Sequence, residues 1–131
     1  MIVPESKSPD QFTLNSLDSP IDFEGLYELY GDDSSMFQFA FEELMQILPK
    51  YFAKLEAAIA DSDMAKILYE AHRLKGSTAT VSVKKIPDLC SAVEDAARVE
   101  DLGQINACTT EIRTQVSIVL KFLQNYSSGN N

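Results

Sequence analysis

The chain has no tryptophan, a single histidine, two cysteines, and only five glycines and five prolines among 131 residues. Each shortage excludes something. Cys90 and Cys108 stand in no CxxC pair, and one histidine cannot complete a zinc-ligand cluster. The two thiols therefore read as reduced, buried apolar residues, and neither a disulfide framework nor a metal site is expected. With so few glycines and prolines there is little turn chemistry for many short strands, which favours helices. No stretch approaches the roughly eighteen consecutive apolar residues that mark a membrane span, and the start "MIVPESKSPD" lacks the basic-then-apolar order of an export signal. The expectation is a soluble, cytoplasmic protein with no membrane contact.

Positive charge is also scarce. Eleven Lys and Arg stand against twenty Asp and Glu, a formal net charge of −9. Such a field repels polyanions and argues against nonspecific binding to nucleic acid or anionic lipid. The deficit is uneven, however. From Met64 to Lys85, Lys66, Arg73, Lys75, Lys84 and Lys85 face one acid, Glu70, for a local +4, leaving −13 on the rest of the chain. A cationic patch on an acidic protein suits one anionic group or one acidic partner surface.

What the chain does have is an apolar fraction of 45%, enough for one core in one domain of this length. Residues 1–20 are rich in Ser, Pro and Asp without a sustained period and read as a flexible leader. Residues 21–125 carry the periodic segments, and 126–131 read as a disordered tail. Asp22 caps a short helix with Phe23, Leu26, Tyr27 and Tyr30 on one face, ended by Gly31. Asp33 or Ser34 then opens a long helix whose apolar stripe runs from Phe37, Phe41, Leu44 and Leu48 through Phe52, Leu55 and Ile59. Its phase carries across Pro49, which favours one kinked helix over two.

A third helix is expected from about Asp63 to Thr80. A fourth should run from about Lys84 to Val99, starting a residue or two late because only a first turn tolerates Pro87. A last helix, capped by Asp101, aligns Ile105, Cys108, Ile112, Val116, Val119 and Leu123. Four long amphipathic helices with short connections imply an all-α antiparallel up-down four-helix bundle, with the short N-terminal helix as lid or brace.

The histidine lies in "AHRLKG", residues 71–76. At about 100° per residue, Ile67, Ala71, Leu74 and Thr78 share a buried face, and His72 falls about 120° from its centre, at the rim of the bundle. Lys75 borders the apolar face, its stem along the surface and its ammonium directed toward the imidazole. Gly76 sits beside His72 one turn on, where glycine costs a helix interior about 1 kcal/mol relative to alanine. Ala65, Leu68, Tyr69 and Ala79 complete a low, mostly apolar platform around the one nucleophilic nitrogen. Such a surface admits another protein's backbone. Arg73 points farther out, either toward a partner or simply into solvent.

Residues 71–98, "AHRLKGSTATVSVKKIPDLCSAVEDAAR", resemble the histidine-containing phosphotransfer (HPt) domains of multistep two-component phosphorelays. Their signature is a helical H-x-x-K-G followed by small residues, here His72, Lys75, Gly76, Ser77, Thr78 and Ala79. "LCSAVE" is similar to the signature of the family's next helix, and the resemblance extends over about residues 20–123. It implies a phosphocarrier rather than an autonomous enzyme. His72 would accept a phosphoryl group from a receiver-domain aspartate and pass it to another receiver. The partners would be response-regulator receiver domains and a hybrid sensor histidine kinase, with no cofactor or metal of its own and a monomer as the default state.

An imidazole titrating near ~6.5 is mostly neutral at pH 7 and keeps a free lone pair, so no general base is required. Lys75 would meet the incoming phosphoryl charge. By analogy with relatives, Glu94 would hydrogen-bond the second ring nitrogen and fix the tautomer; its plain reading is a helix-surface carboxylate. The rival to phosphotransfer is a helical interaction module that docks receivers without taking phosphate. An enzyme using His72 as general base would need a nucleophile, metal ligands or carboxylate pair that the sequence does not supply.

Overall fold

The computed structural model describes residues 19–129 and contains five helices in that range, with no strand longer than a single bridge. They are α1 (Phe23–Tyr30), α2 (Ser34–Ala60), α3 (Met64–Ala79), α4 (Ile86–Arg98) and α5 (Leu102–Gly129). Four begin at an aspartate, because a carboxylate oxygen accepts the amide protons that the first turn leaves unpaired. Asp22 takes the Gly25 N–H, Asp33 those of Ser35 and Met36, Asp63 that of Lys66, and Asp101 that of Gln104. The remaining helix, α4, has no such cap. Its second position is Pro87, which has no amide proton to satisfy, and the helix starts at Ile86.

Helix α2 continues without a break through Pro49. Gly31 ends α1 with φ 72°, a left-handed conformation that glycine adopts without steric cost. The expected tail is different. Helix α5 does not stop at residue 125 but runs to Gly129, and Tyr126 packs edge-on against Phe41 with ring centroids 5.0 Å apart. Aromatic burial across helices, absent from any local pattern, extends the helix past its expected end. Of the expected leader, residues 1–18 lie outside the described residues. Ser19 is buried, and the Pro20 carbonyl accepts the Lys84 N–H.

The four long helices pack cyclically, α2 on α3, α3 on α4, α4 on α5 and α5 back on α2. Leu44, Leu48 and Leu55 of α2, Ile67, Ala71 and Leu74 of α3, Cys90 and Val93 of α4, and Ile105, Ile112 and Val119 of α5 meet in one core. Burying each large side chain contributes about 1.5–3 kcal/mol, so the helices cannot rotate without losing several such terms. That locks the outward face of α3, and with it His72. Helix α1 braces one end: Ile21 pairs with Val83, the Asp22 N–H reaches the Ser82 carbonyl, and the Tyr30 hydroxyl donates to the Thr80 carbonyl. Phe23 closes the same end against Phe41, Phe122 and Tyr126.

Candidate functional site: an exposed imidazole on a buried carboxylate

His72 lies midway along α3, whose inner face is sealed by Ile67, Ala71, Leu74 and Thr78. Its side chain is 73% exposed. One ring nitrogen is nonetheless occupied: Nδ1 stands 3.2 Å from Glu94 Oε2. Glu94 belongs to α4 and its side chain is only 8% exposed, so the carboxylate reaches the histidine from beneath.

A carboxylate in such a place needs compensation, since burial disfavours its charge. Lys75 provides it. The Lys75 ammonium donates to Glu94 Oε1 at 2.8 Å and to the Ser91 hydroxyl at 3.3 Å. Burial pushes the Glu94 carboxyl up, but the Lys75 hydrogen bond and charge, with a further contribution from His72, outweigh it and hold the group below the ordinary carboxylate value. Glu94 is therefore an anion with one oxygen for each cationic or donor partner. An ionised carboxylate only accepts, so the contact assigns a proton to Nδ1 and leaves Nε2 as the ring nitrogen that Glu94 does not hold.

The same charge acts on a neighbour. Burial, reinforced by the negative charge of Glu94 and opposed by Lys75, pushes the Cys90 thiol up to about 12. Cys90 and Cys108 are both free and buried, and a thiol so far from ionisation is a packing group rather than a nucleophile.

The residues expected around His72 are mostly open to solvent. Ala65, Tyr69, Gly76 and Ala79 are exposed, and Leu68 is half-buried against the core. A methyl group built at Gly76 would meet nothing within 4 Å. Neither internal packing nor backbone conformation of the chain demands glycine there.

Two side chains go elsewhere than the helical wheel suggests. Lys75 reaches Glu94 instead of the imidazole, because the buried carboxylate is the stronger attractor. Arg73, expected to project outward, folds back. Its guanidinium lies 4.4 Å from the Tyr51 ring centroid on α2 and 5.3 Å from that of Tyr69, and bonds Glu70 at 2.6 Å. Flat rings and a carboxylate within reach outweigh hydration of a weakly hydrated cation. Ser91 and Tyr51 join the site although nothing in the sequence singles them out, as does Glu70, the one acid of the cationic stretch, three residues before Arg73. Ser91 does share a face with Glu94, three residues on, but the Tyr51 contact depends on how α2 meets α3. Among the described residues no group of His, Cys, Asp and Glu could hold a metal ion, and no helix is long and apolar enough to cross a membrane.

Fold and site thus define a class: a helical domain that displays one imidazole on a helix face and anchors it from the next helix. Comparison with known proteins agrees. The family model described as the Hpt domain matches residues 40–121, more than half of the chain. The chain belongs to the Hpt domain family. Among solved structures it is similar to the HPT domain of the Hpt sensor hybrid histidine kinase from Shewanella, with a TM-score of 0.73 and 18% identity over 84% of this chain and 95% of that one. At that identity the likeness speaks for the fold. No curated protein gives a significant match.

Proposed function

We propose that this domain is a histidine phosphotransfer protein of a two-component phosphorelay. His72 accepts a phosphoryl group from the aspartate of one receiver domain and passes it to another. The observation that carries the reading is the division of labour on the ring, with Nδ1 held by Glu94 at 3.2 Å and the rest of a 73% exposed side chain open to a partner. We further propose that the four long helices form an antiparallel up-down bundle, which would present His72 on a rigid outer face.

The chemistry follows from that arrangement. The Nε2 lone pair attacks the phosphorus of an aspartyl phosphate. An N–P bond forms as the P–O bond to the aspartate breaks, and the electron pair leaves with the regenerated carboxylate. The ring becomes cationic while keeping its Nδ1 proton, and Glu94 is already placed against that proton. Lys75 keeps Glu94 ionised, so it supports the reaction through the carboxylate. Its ammonium would also attract the dianionic phosphoryl group, two charges worth about 1 kcal/mol each at 4 Å in water and more where water is excluded. Reversal of the same step transfers the group onward. No hydrolytic or synthetic activity of its own is required, which makes the domain a carrier.

The platform of Ala65, Leu68, Tyr69, Gly76 and Ala79 would be the docking face, with Gly76 leaving clearance for the partner's backbone. The test is direct. Incubation with a phosphorylated receiver should move label onto this protein in an acid-labile, alkali-stable form, and His72→Gln should abolish it. Stable docking without label transfer from any receiver of the source organism would leave an interaction module instead.

A further inference from the structure

Beside His72 lies an arrangement that the transfer chemistry does not use. Tyr69, three residues earlier on the same face of α3, is 61% exposed, among the most exposed large hydrophobic side chains of the described residues. It is not loose. The Arg73 guanidinium sits 5.3 Å from its ring centroid, one helical turn on. Arg73 is itself fixed on two sides, by the Tyr51 ring of α2 at 4.4 Å and by the half-buried Glu70 at 2.6 Å. Its Nε is buried without any hydrogen-bond partner. A guanidinium placed by hydrogen bonding alone would not leave a donor unmet. The position is one that stacking between two tyrosines selects.

We infer that Arg73 is a positioning residue that holds the Tyr69 ring as a rigid docking anchor beside His72. This rests on the phosphotransfer reading above and commits to the receiver domain as the occupant, since the anchor is continuous with the face from which the phosphoryl group must arrive. An aromatic ring adjoining small residues is the composition of an interface hot spot, and one already immobilised loses less freedom on binding. The chain Tyr51–Arg73–Tyr69 also ties the anchor to α2, so its position is set by the bundle rather than by one side chain's rotamer.

The test is transfer kinetics from a phosphorylated receiver to the full chain, comparing wild type with Tyr69→Ala, Arg73→Ala and Arg73→Lys. Tyr69→Ala should raise KM about tenfold with kcat little changed, the loss expected of a hot-spot aromatic. Arg73→Ala should raise KM about two- to fivefold, as for an accessible cation–π contact, and Arg73→Lys should recover part of it. In NMR spectra of the free protein, Arg73→Ala should also move the Tyr69 ring shifts toward random-coil values. A merely structural role would lower the active fraction, and so kcat, without this split. If wild type takes label and Tyr69→Ala matches its KM, the anchor is wrong while the phosphotransfer reading stands. If Tyr69→Ala raises KM but Arg73→Ala leaves KM and the Tyr69 ring shifts unchanged, the positioning role is wrong. A wild type that takes no label removes the phosphotransfer reading itself.

Discussion

The Arg113–Glu56 and Lys75–Glu94 ion pairs each join two helices, and they differ in what surrounds them. Arg113 of α5 bonds Glu56 of α2 at 2.6 Å, with the side chains 55% and 39% exposed. Lys75 of α3 bonds Glu94 of α4 at 2.8 Å, with the carboxylate almost fully buried and its second oxygen on the only histidine. The shorter contact is the less consequential one. A solvated pair is screened and contributes ~0–1 kcal/mol whatever its length, whereas a buried carboxylate left without its cation must either protonate or distort its surroundings. Burial and a third partner, rather than distance, convert an ion pair into a device that holds an imidazole.

That contrast is open to attack at several points. The largest effect after removal of His72 itself is expected at Gly76, which separates docking from stability. Gly76→Gln should slow phosphoryl transfer about a hundredfold or more by filling the space a partner enters, while thermal unfolding shows a helix equal to or about 0.5–1 kcal/mol more stable than wild type. A normal transfer rate would show that the open space at position 76 is not used.

Lys75→Ala should come next. It removes the cation that keeps Glu94 ionised, so phosphate acceptance should fall about tenfold, with a stability loss of about 1–2 kcal/mol in urea unfolding. An unchanged rate would reduce Lys75 to a surface charge.

Glu94 gives a smaller, pH-dependent signal. Its folded-state carboxyl titrates below the ordinary value, so the stabilisation it supplies is complete above the unfolded value of roughly 4.3 and is lost as pH falls through the depressed folded one. Asp33, held low by the Ser35 hydroxyl and amide, adds in the same direction. Urea midpoints of Glu94→Gln should therefore fall less steeply than those of wild type below about pH 4.5, and parallel curves would remove the coupling. Arg113→Ala should do least: a change of ~0–1 kcal/mol in stability and none in transfer. A transfer defect there would erase the distinction between the two pairs.

The same contrast explains what could be read before the structure. Helix starts were legible because capping is local: Asp22, Asp33, Asp63 and Asp101 stand where the following amides need them, and Pro87 sits in a first turn. His72, Lys75 and Gly76 could be placed on one helix by angle alone. Long-range choices were not legible. That Lys75 would turn to Glu94, that Arg73 would lie between Tyr51 and Tyr69, and that Tyr126 would carry α5 past residue 125 all depend on which helices become neighbours. A periodic stripe shows that a face is buried without saying against what.

The central claim is that Glu94 assigns the two ring nitrogens of His72 their separate tasks. Nitrogen NMR of the phosphorylated, isotopically labelled protein tests it most directly. The phosphoryl group should couple to Nε2 of His72, with Nδ1 protonated and its proton strongly deshielded by Glu94. Phosphorus on Nδ1, or on any residue other than His72, would contradict the account.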